Sequence, residues 1–179
     1  MQNLEHVDMY DENMNHIGSG ERKGSEPKRH WTRGVHILVH DDKNILLQLR
    51  SSDKRKYPNL WDFSAGGGLL LGETTKNAAI REFQEELGIP WTFGDIKEAL
   101  VVKMETMEDG TICNNFNSVF FLGKKLEPSE LNLKKDEVEE IKHFPYNKFR
   151  DLVNSEKFVP YPKHYKKEIL NYVDKYFTN

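Results

Sequence analysis

Residues 67–89, GGLLLGETTKNAAIREFQEELGI, constrain this chain more than any other stretch. A glycine run leads into a helix whose limits are written in the sequence. Thr74 or Thr75 serves as an N-cap, Gly88 stands where a left-handed residue ends a helix, and Pro90 prevents continuation. Ile80, Phe83 and Leu87 recur at i, i+3 and i+7 and predict one apolar face. Glu82, Glu85 and Glu86 stand at i, i+3 and i+4, so at about 100° per residue they share a second face, roughly opposite the first.

Like charges at i, i+4 weaken a helix by about 0.2–0.5 kcal/mol per pair. A hard divalent cation removes that penalty, because carboxylate oxygens are the ligands Mg²⁺ and Mn²⁺ prefer. Ala78 and Ala79 lie one turn earlier on the same side and leave room for a metal and a phosphate chain. Gly66 to Gly68 are expected to follow a short strand and enter a loop, where backbone N–H groups of Gly67 and Gly68 face phosphate oxygens and a carbonyl, at Gly66, completes a metal shell. Taken singly, glutamates on a helix are more often a solvated face, and a glycine triplet is more often a flexible turn. Their joint spacing is what carries the functional reading.

The rest of the chain reads as a mixture of strands and helices, α/β or α+β and not a bundle. A hairpin is expected at residues 5–22, with a basic connector at 23–30. Strands are expected at 34–40, 45–49 and 60–65, then a pair at 96–105 and 116–123 around the loop MEDGTICNN, and another at 137–144. Helices are expected at 145–154 and 163–177, the second with Tyr165, Ile169, Tyr172, Val173 and Tyr176 as its apolar positions. This divides the chain into a hairpin and connector at 1–29, packed on a main domain at 30–179.

With 179 residues, 37% of them hydrophobic and 31% charged, the chain is long enough to bury a core as one domain. A net charge of -3 supplies no bulk attraction to nucleic acid or anionic membrane. The single cysteine, Cys113, excludes an internal disulfide and a Cys-rich zinc site, and suits a reducing cytoplasm. The start, MQNLEHVDMYDENM, lacks a basic stretch followed by an apolar run, so no signal peptide is expected, and no apolar segment approaches a membrane span.

The spacing of residues 67–89 resembles the Nudix box, G-x5-E-x7-R-E-U-x-E-E-x-G-U, where U is a bulky apolar residue. Gly67, Glu73, Arg81, Glu82, Phe83, Glu85, Glu86, Gly88 and Ile89 fill every position, with Phe83 aromatic where an aliphatic is usual. Seven fixed residues make a chance match less frequent than roughly one in a million. The resemblance implies a Nudix fold, an α/β/α sandwich around a mixed β-sheet. It implies Glu82 and Glu86 as ligands of Mg²⁺ or Mn²⁺, Glu85 as a further ligand or base, and an ion pair in which Glu73 orients Arg81. The implied reaction is attack of water on a nucleoside diphosphate linked to another group, with metal neutralising oxygen charge. Its partner is a small-molecule diphosphate, not nucleic acid or membrane; a homodimer is common in the family and no sequence feature fixes it here. Glu105, Glu108, Glu137, Glu139 and Glu140 are candidate bases outside the box, which the sequence does not rank.

From about residue 4 to 150, the hairpin, His30, the run ILLQLR and the spacing YPNLWDFSAGGG look like the branch containing isopentenyl-diphosphate isomerases and their hydrolase relatives. That likeness implies that Arg50 and Lys54, upstream of Trp61, bind the substrate diphosphate; the alternative is a solvated cationic loop. The isomerase itself is one alternative function. Its catalytic cysteine falls at Gly66, its metal-binding histidine at Gly68, and its later carboxylates at Asn114 and Phe116, and Cys113 is a poor substitute. A non-catalytic nucleotide-binding module is the other, yet such a module is free to lose carboxylates and none is missing. His30 is either a remnant of the isomerase metal site or, as favoured here, a polar residue at a strand start. Trp31, Tyr57, Trp61, Phe63 and Phe116 either stack on a base or belong to the core, and the sequence does not name the substrate.

Overall fold

The computed structural model describes residues 5–21, 30–92, 94, 96, 98–108 and 111–177. Strands β1 (His6–Tyr10) and β2 (His16–Glu21) form the expected antiparallel hairpin. Its turn is held by the Asp11 carboxylate, which accepts the backbone N–H groups of Asn13 and Asn15. The hairpin is tied to the rest of the chain by backbone bonds exchanged between Tyr10 and Trp31, and by the Leu71 N–H donating to the His6 carbonyl. The connector expected at 23–30 falls outside the described residues, except for His30.

The main sheet is forked. Strands β3 (Thr32–His40) and β4 (Asn44–Arg50) are joined by a turn in which Asp41 accepts the N–H groups of Lys43 and Asn44. They pair only at His40↔Ile45 and Val39↔Leu46 before parting. Buried Ser64 sits at the fork: its hydroxyl accepts from the Val39 N–H at 2.8 Å and donates to the Leu46 carbonyl at 2.5 Å. One hydroxyl thus satisfies both backbones where the ladder stops. Beyond the fork, β5 (Trp61–Asp62) joins β4, and β6 (Ala65–Gly68) joins β3. Strand β8 (Thr111–Gly123) runs parallel to β3, β7 (Glu98–Glu108) runs antiparallel to β8, and β9 (Val138–Pro145) pairs with β4.

Helix α1 (Thr75–Leu87) covers one face through Ala78, Ala79, Phe83 and Leu87, packed with Val35, Ile37, Val39 and Leu46. Helices α2 (Tyr146–Val153) and α3 (Lys163–Phe177) cover the other, where Phe149, Val153, Tyr165, Ile169 and Val173 meet Leu38, Ile45, Leu47 and Val119. Successive residues of β3 and β4 feed opposite cores, as strand geometry requires, so the fold is an α/β/α sandwich around a mixed sheet. No helix among the described residues is long and apolar enough to cross a membrane.

Several expectations change in detail. Residues 60–65 are not one strand: the chain breaks at Phe63 and Ser64 and then re-enters the sheet. Gly66 to Gly68 belong to strand β6, paired with β3, rather than to a loop. Strands β7 and β8 run further than expected, so most of MEDGTICNN is strand. On α3, Tyr165, Ile169 and Val173 are buried, whereas Tyr176 is exposed and lies against His40.

Gly88 ends α1 at φ 68°, and its N–H reaches the Gln84 carbonyl. A Cβ there would collide with the backbone of Asn132. Gly88→Ala is therefore expected to cost about 2 kcal/mol or more, from the left-handed conformation plus the overlap. Urea unfolding checks this; an unchanged midpoint would contradict the packing described.

Candidate functional site

Helix α1 starts at Thr74, whose hydroxyl accepts the Asn77 N–H at 3.2 Å. From there its buried arc takes in Ala78, Ala79, Glu82, Phe83, Glu86 and Leu87. Glu82 and Glu86 thus do not lie opposite the apolar face; they are part of the side turned to the sheet. The helix approaches β6 closely where β6 has no side chains. A Cβ on Gly67 would overlap the Glu82 carboxylate, and one on Gly66 would press on His36 and the Val35 carbonyl. The glycine run is a strand that lets two carboxylates lie against its backbone.

Glu86 is 2% exposed, and its Oε2 accepts the Gly66 N–H at 2.9 Å and Gln48 Nε2 at 3.1 Å. Two donors do not replace the hydration of a carboxylate. Burial pushes the Glu86 pKa up to about 8, and the charges of Glu82 and Glu137 add to the effect. Glu82 is 8% exposed and accepts from Arg81 Nη1 at 2.7 Å. Burial raises its pKa, and the Arg81 charge offsets part of that rise. Arg81 is clamped by Glu73, with Nε to Oε1 and Nη2 to Oε2 both at 2.9 Å, and Nη2 also donates to the Gly68 carbonyl at 3.0 Å. Hydrogen bonds from Glu73 raise the Arg81 pKa further, so its charge is permanent. Glu85 stands apart: it is exposed, 3.5 Å from Arg81 at the outer edge of the helix.

Among the acids outside α1, Glu137 contributes charge to both Glu82 and Glu86. It pairs with Lys54 at 2.9 Å and Lys134 at 2.5 Å. Burial raises its pKa, but those two hydrogen bonds more than offset it, so Glu137 is held ionised. Glu105, Glu139 and Glu140 are exposed on their strands, and the Glu108 side chain lies outside the described residues.

The fork between β3 and β4 opens as a cleft of about 330 Å³. Arg50, Lys54, Gly66, Gly67 and Gly68 line it, together with His36, Gln48, Asp62, Asn117 and Tyr161. Glu82 and Glu86 sit behind the wall made by Gly66, Gly67 and Gln48, which they touch directly. Arg50 and Lys54 already hold acids of this region: Arg50 Nη1 donates to Asp62 at 3.1 Å, and Lys54 to Glu137. Glu73, Arg81 and Glu85 line a separate, shallower groove on the outer side of α1. Trp31 and Phe116 stack on each other in the core at 4.7 Å, and of the five aromatic candidates only Phe63 lines the cleft.

Among the described residues, no three His, Cys, Asp or Glu side chains are gathered as a finished metal cage. The donor chemistry nevertheless fits a hard cation. Two buried carboxylates have only the Gly66 N–H, Gln48 and Arg81 as donors, and Gln48 Oε1, beside them, is buried with no hydrogen-bond partner. Gln48, His36, Asp62 and Tyr161 were not singled out by the sequence reading. A signal existed for two of them: Gln48 and Asp62 are polar residues inside apolar strand runs.

Residues 30–164 match the NUDIX domain. Over 159 residues the chain is 36% identical to Nudix hydrolase 3 of Arabidopsis thaliana, covering 80% of this chain but only 20% of that protein. Over 128 residues it is 34% identical to an uncharacterized Nudix hydrolase of Listeria innocua, covering 71% of each. A crystal structure of a Deinococcus radiodurans protein superposes with TM-score 0.68 over 97% of this chain and 99% of that one; at 18% identity the likeness is one of fold.

A carboxyl whose folded pKa is raised from 4.5 to about 8 keeps its proton in the fold while the unfolded chain has lost it. Stability therefore falls as pH rises through that window. In EDTA, the melting temperature of Glu86→Gln should fall less steeply than wild type between about pH 5 and 8.5, and should exceed it at the upper end. Parallel profiles would contradict the burial argument.

Proposed function

Since the chain belongs to the Nudix hydrolase family, we propose that it cleaves the diphosphate linkage of a nucleoside diphosphate derivative or related organic diphosphate, in the cleft at the sheet fork. The observation that carries this reading is the pair of buried carboxylates, Glu82 and Glu86, set against a glycine strand whose far side lines a cationic cleft. Glu82 and Glu86, with the Gly66 carbonyl or Glu85 as further oxygen donors, would hold Mg²⁺ or Mn²⁺, which would supply neutralisation of phosphate oxygen charge.

The chain's own residues do the remainder. Arg50, Lys54 and Lys56 line the cleft and hold the diphosphate by charge-assisted hydrogen bonds, Lys54 exchanging Glu137 for substrate. Gly67 and Gly68 let the substrate reach the strand backbone. Glu73 fixes Arg81, and Arg81 in turn fixes the orientation of Glu82. The proton of the attacking water passes to Glu137, which is held ionised. The partner in this reading is a small molecule, and the single cysteine suits a reducing cytoplasm.

The positions where the isomerase carries its acid and base offer no equivalent in this chain. Gly66 and Gly68 offer no side chain, Cys113 is buried, and Phe116 is engaged with Trp31. A non-catalytic module has no need for the strained burial of Glu86.

Assay of nucleoside di- and triphosphates, dinucleotides, sugar nucleotides and prenyl diphosphates, with Mg²⁺ or Mn²⁺ and with EDTA, tests the reading. Metal-dependent release of phosphate or nucleotide from at least one is expected, and Glu86→Gln should lower kcat at least about a hundredfold in a folded protein. Near-normal turnover by Glu86→Gln would remove the metal assignment; tight metal-free binding with no turnover would favour a binding module.

A further inference from the structure

Side chains far apart in sequence form a continuous hydrogen-bonded row that ends on Arg50. Tyr161 Oη donates to Asp62 Oδ1 at 2.7 Å, and Asp62 Oδ2 accepts from Arg50 Nη1 at 3.1 Å. A phenol has one proton, so Tyr161 Oη must accept from His36 Nε2, 3.2 Å away. The imidazole proton is thereby assigned to Nε2, and the bare Nδ1 accepts from Tyr165 Oη at 2.6 Å. The direction of every bond follows from the Asp62 oxygens accepting, one from Arg50 Nη1 and the other from the Phe63 N–H. The Phe63 N–H, donating to Asp62 Oδ1 at 2.9 Å, fixes the carboxylate from a further side.

The row is also packed. The His36 ring lies 5.0 Å from Phe63, 5.1 Å from Tyr161 and 5.8 Å from Tyr165. Burial pushes the His36 pKa down to about 4, which agrees with a neutral ring in this arrangement. At the other end Arg50 Nε donates to the Tyr57 carbonyl and Nη2 to the Lys56 carbonyl. These bonds and the one to Asp62 use three of the five guanidinium N–H groups and leave two for the cleft. Arg50, Asp62, His36 and Tyr161 all line that cleft. A network that only knitted α3 to the sheet would not need to terminate on a cationic wall.

We propose that Tyr161, His36 and Asp62 are positioning residues that set the Arg50 guanidinium towards a diphosphate in the cleft. The proposal rests on the reading that Arg50 meets the substrate diphosphate. Tyr165 lies on α3 and Tyr161 just before it, so the seating of that helix reaches Arg50 through the hydrogen-bonded row. Arg50 carries the affinity: the Tyr57 and Lys56 carbonyls hold Nε and Nη2, and the row, through Asp62, holds Nη1.

Inorganic pyrophosphate with Mg²⁺, titrated calorimetrically into the full chain, is the probe. Tyr161→Phe removes one oxygen and its two hydrogen bonds, and should raise Kd roughly tenfold. In an Arg50→Ala background the same substitution should change Kd less than about twofold, because the row acts through Arg50. Asp62→Asn, which keeps the size but turns an amide towards Arg50, should repeat the loss if Tyr161→Phe folds poorly. Equal losses from Tyr161→Phe in both backgrounds would overturn the proposal, showing a packing effect. No loss from Tyr161→Phe, with Arg50→Ala weakening binding, would also overturn it while leaving the cleft reading intact. If wild type ignored pyrophosphate, or Arg50→Ala bound it normally, the cleft reading itself would fall, and the row with it.

Discussion

Glu82 and Glu86 are buried against a strand that has no side chains, and the arrangement of the site depends on that contact. Glycine in a strand interior weakens it by loss of packing and by backbone entropy. Here the loss is local and the gain is an approach that no other residue permits. Helix α1 comes near enough for the Gly66 N–H to bond the Glu86 carboxylate, and for Gly67 to touch Glu82. The carboxylates are too few in donors to be comfortable as anions, which is why Glu86 holds its proton up to about pH 8. Such a deficit is costly in a bare protein and useful to a cation-binding one.

The forked sheet supplies the other half. Were β3 and β4 paired throughout, there would be no opening beside the glycine strand. The ladder stops after two rungs because Ser64 satisfies the backbone on both sides and sends β5 and β6 to different partners. The opening is then lined by alternate residues of β3, β4 and β8, Gly34 and His36, Gln48 and Arg50, Asn115 and Asn117, and by the glycine backbone of β6. Cations gather on the 50–58 loop and acids on α1 and at Glu137, so charges of opposite sign stand on separate sides of the cleft.

What the sequence made legible follows the range of the forces involved. Helix α1, its Thr74 cap and its Gly88 stop are local signals and stand where expected. Helix α3 is bounded as its spacing predicted, because Tyr165, Ile169 and Val173 repeat at helical period. Gly66 to Gly68 were misread as loop, since glycine is depleted in strands and its reason for being in one lies across the sheet on α1. The β7–β8 hairpin is longer than expected because its polar, turn-like residues continue the backbone ladder. Glu82 and Glu86 were placed opposite the apolar face, whereas the helix is turned so that they join it. The row from Tyr165 to Arg50 joins residues more than a hundred positions apart, and no local pattern announces it.

The account stands on Glu82 and Glu86 forming a cation site, and Mn²⁺ titration followed by electron paramagnetic resonance measures that directly, without any substrate. Wild type should take up Mn²⁺ at saturable stoichiometry near neutral pH, with Glu86→Gln weakening it at least about tenfold. Glu105→Gln, altering an exposed acid on β7, should leave the binding unchanged. Identical binding curves for wild type and Glu86→Gln would mean that the buried carboxylate does not serve a metal, and would contradict the account at its centre.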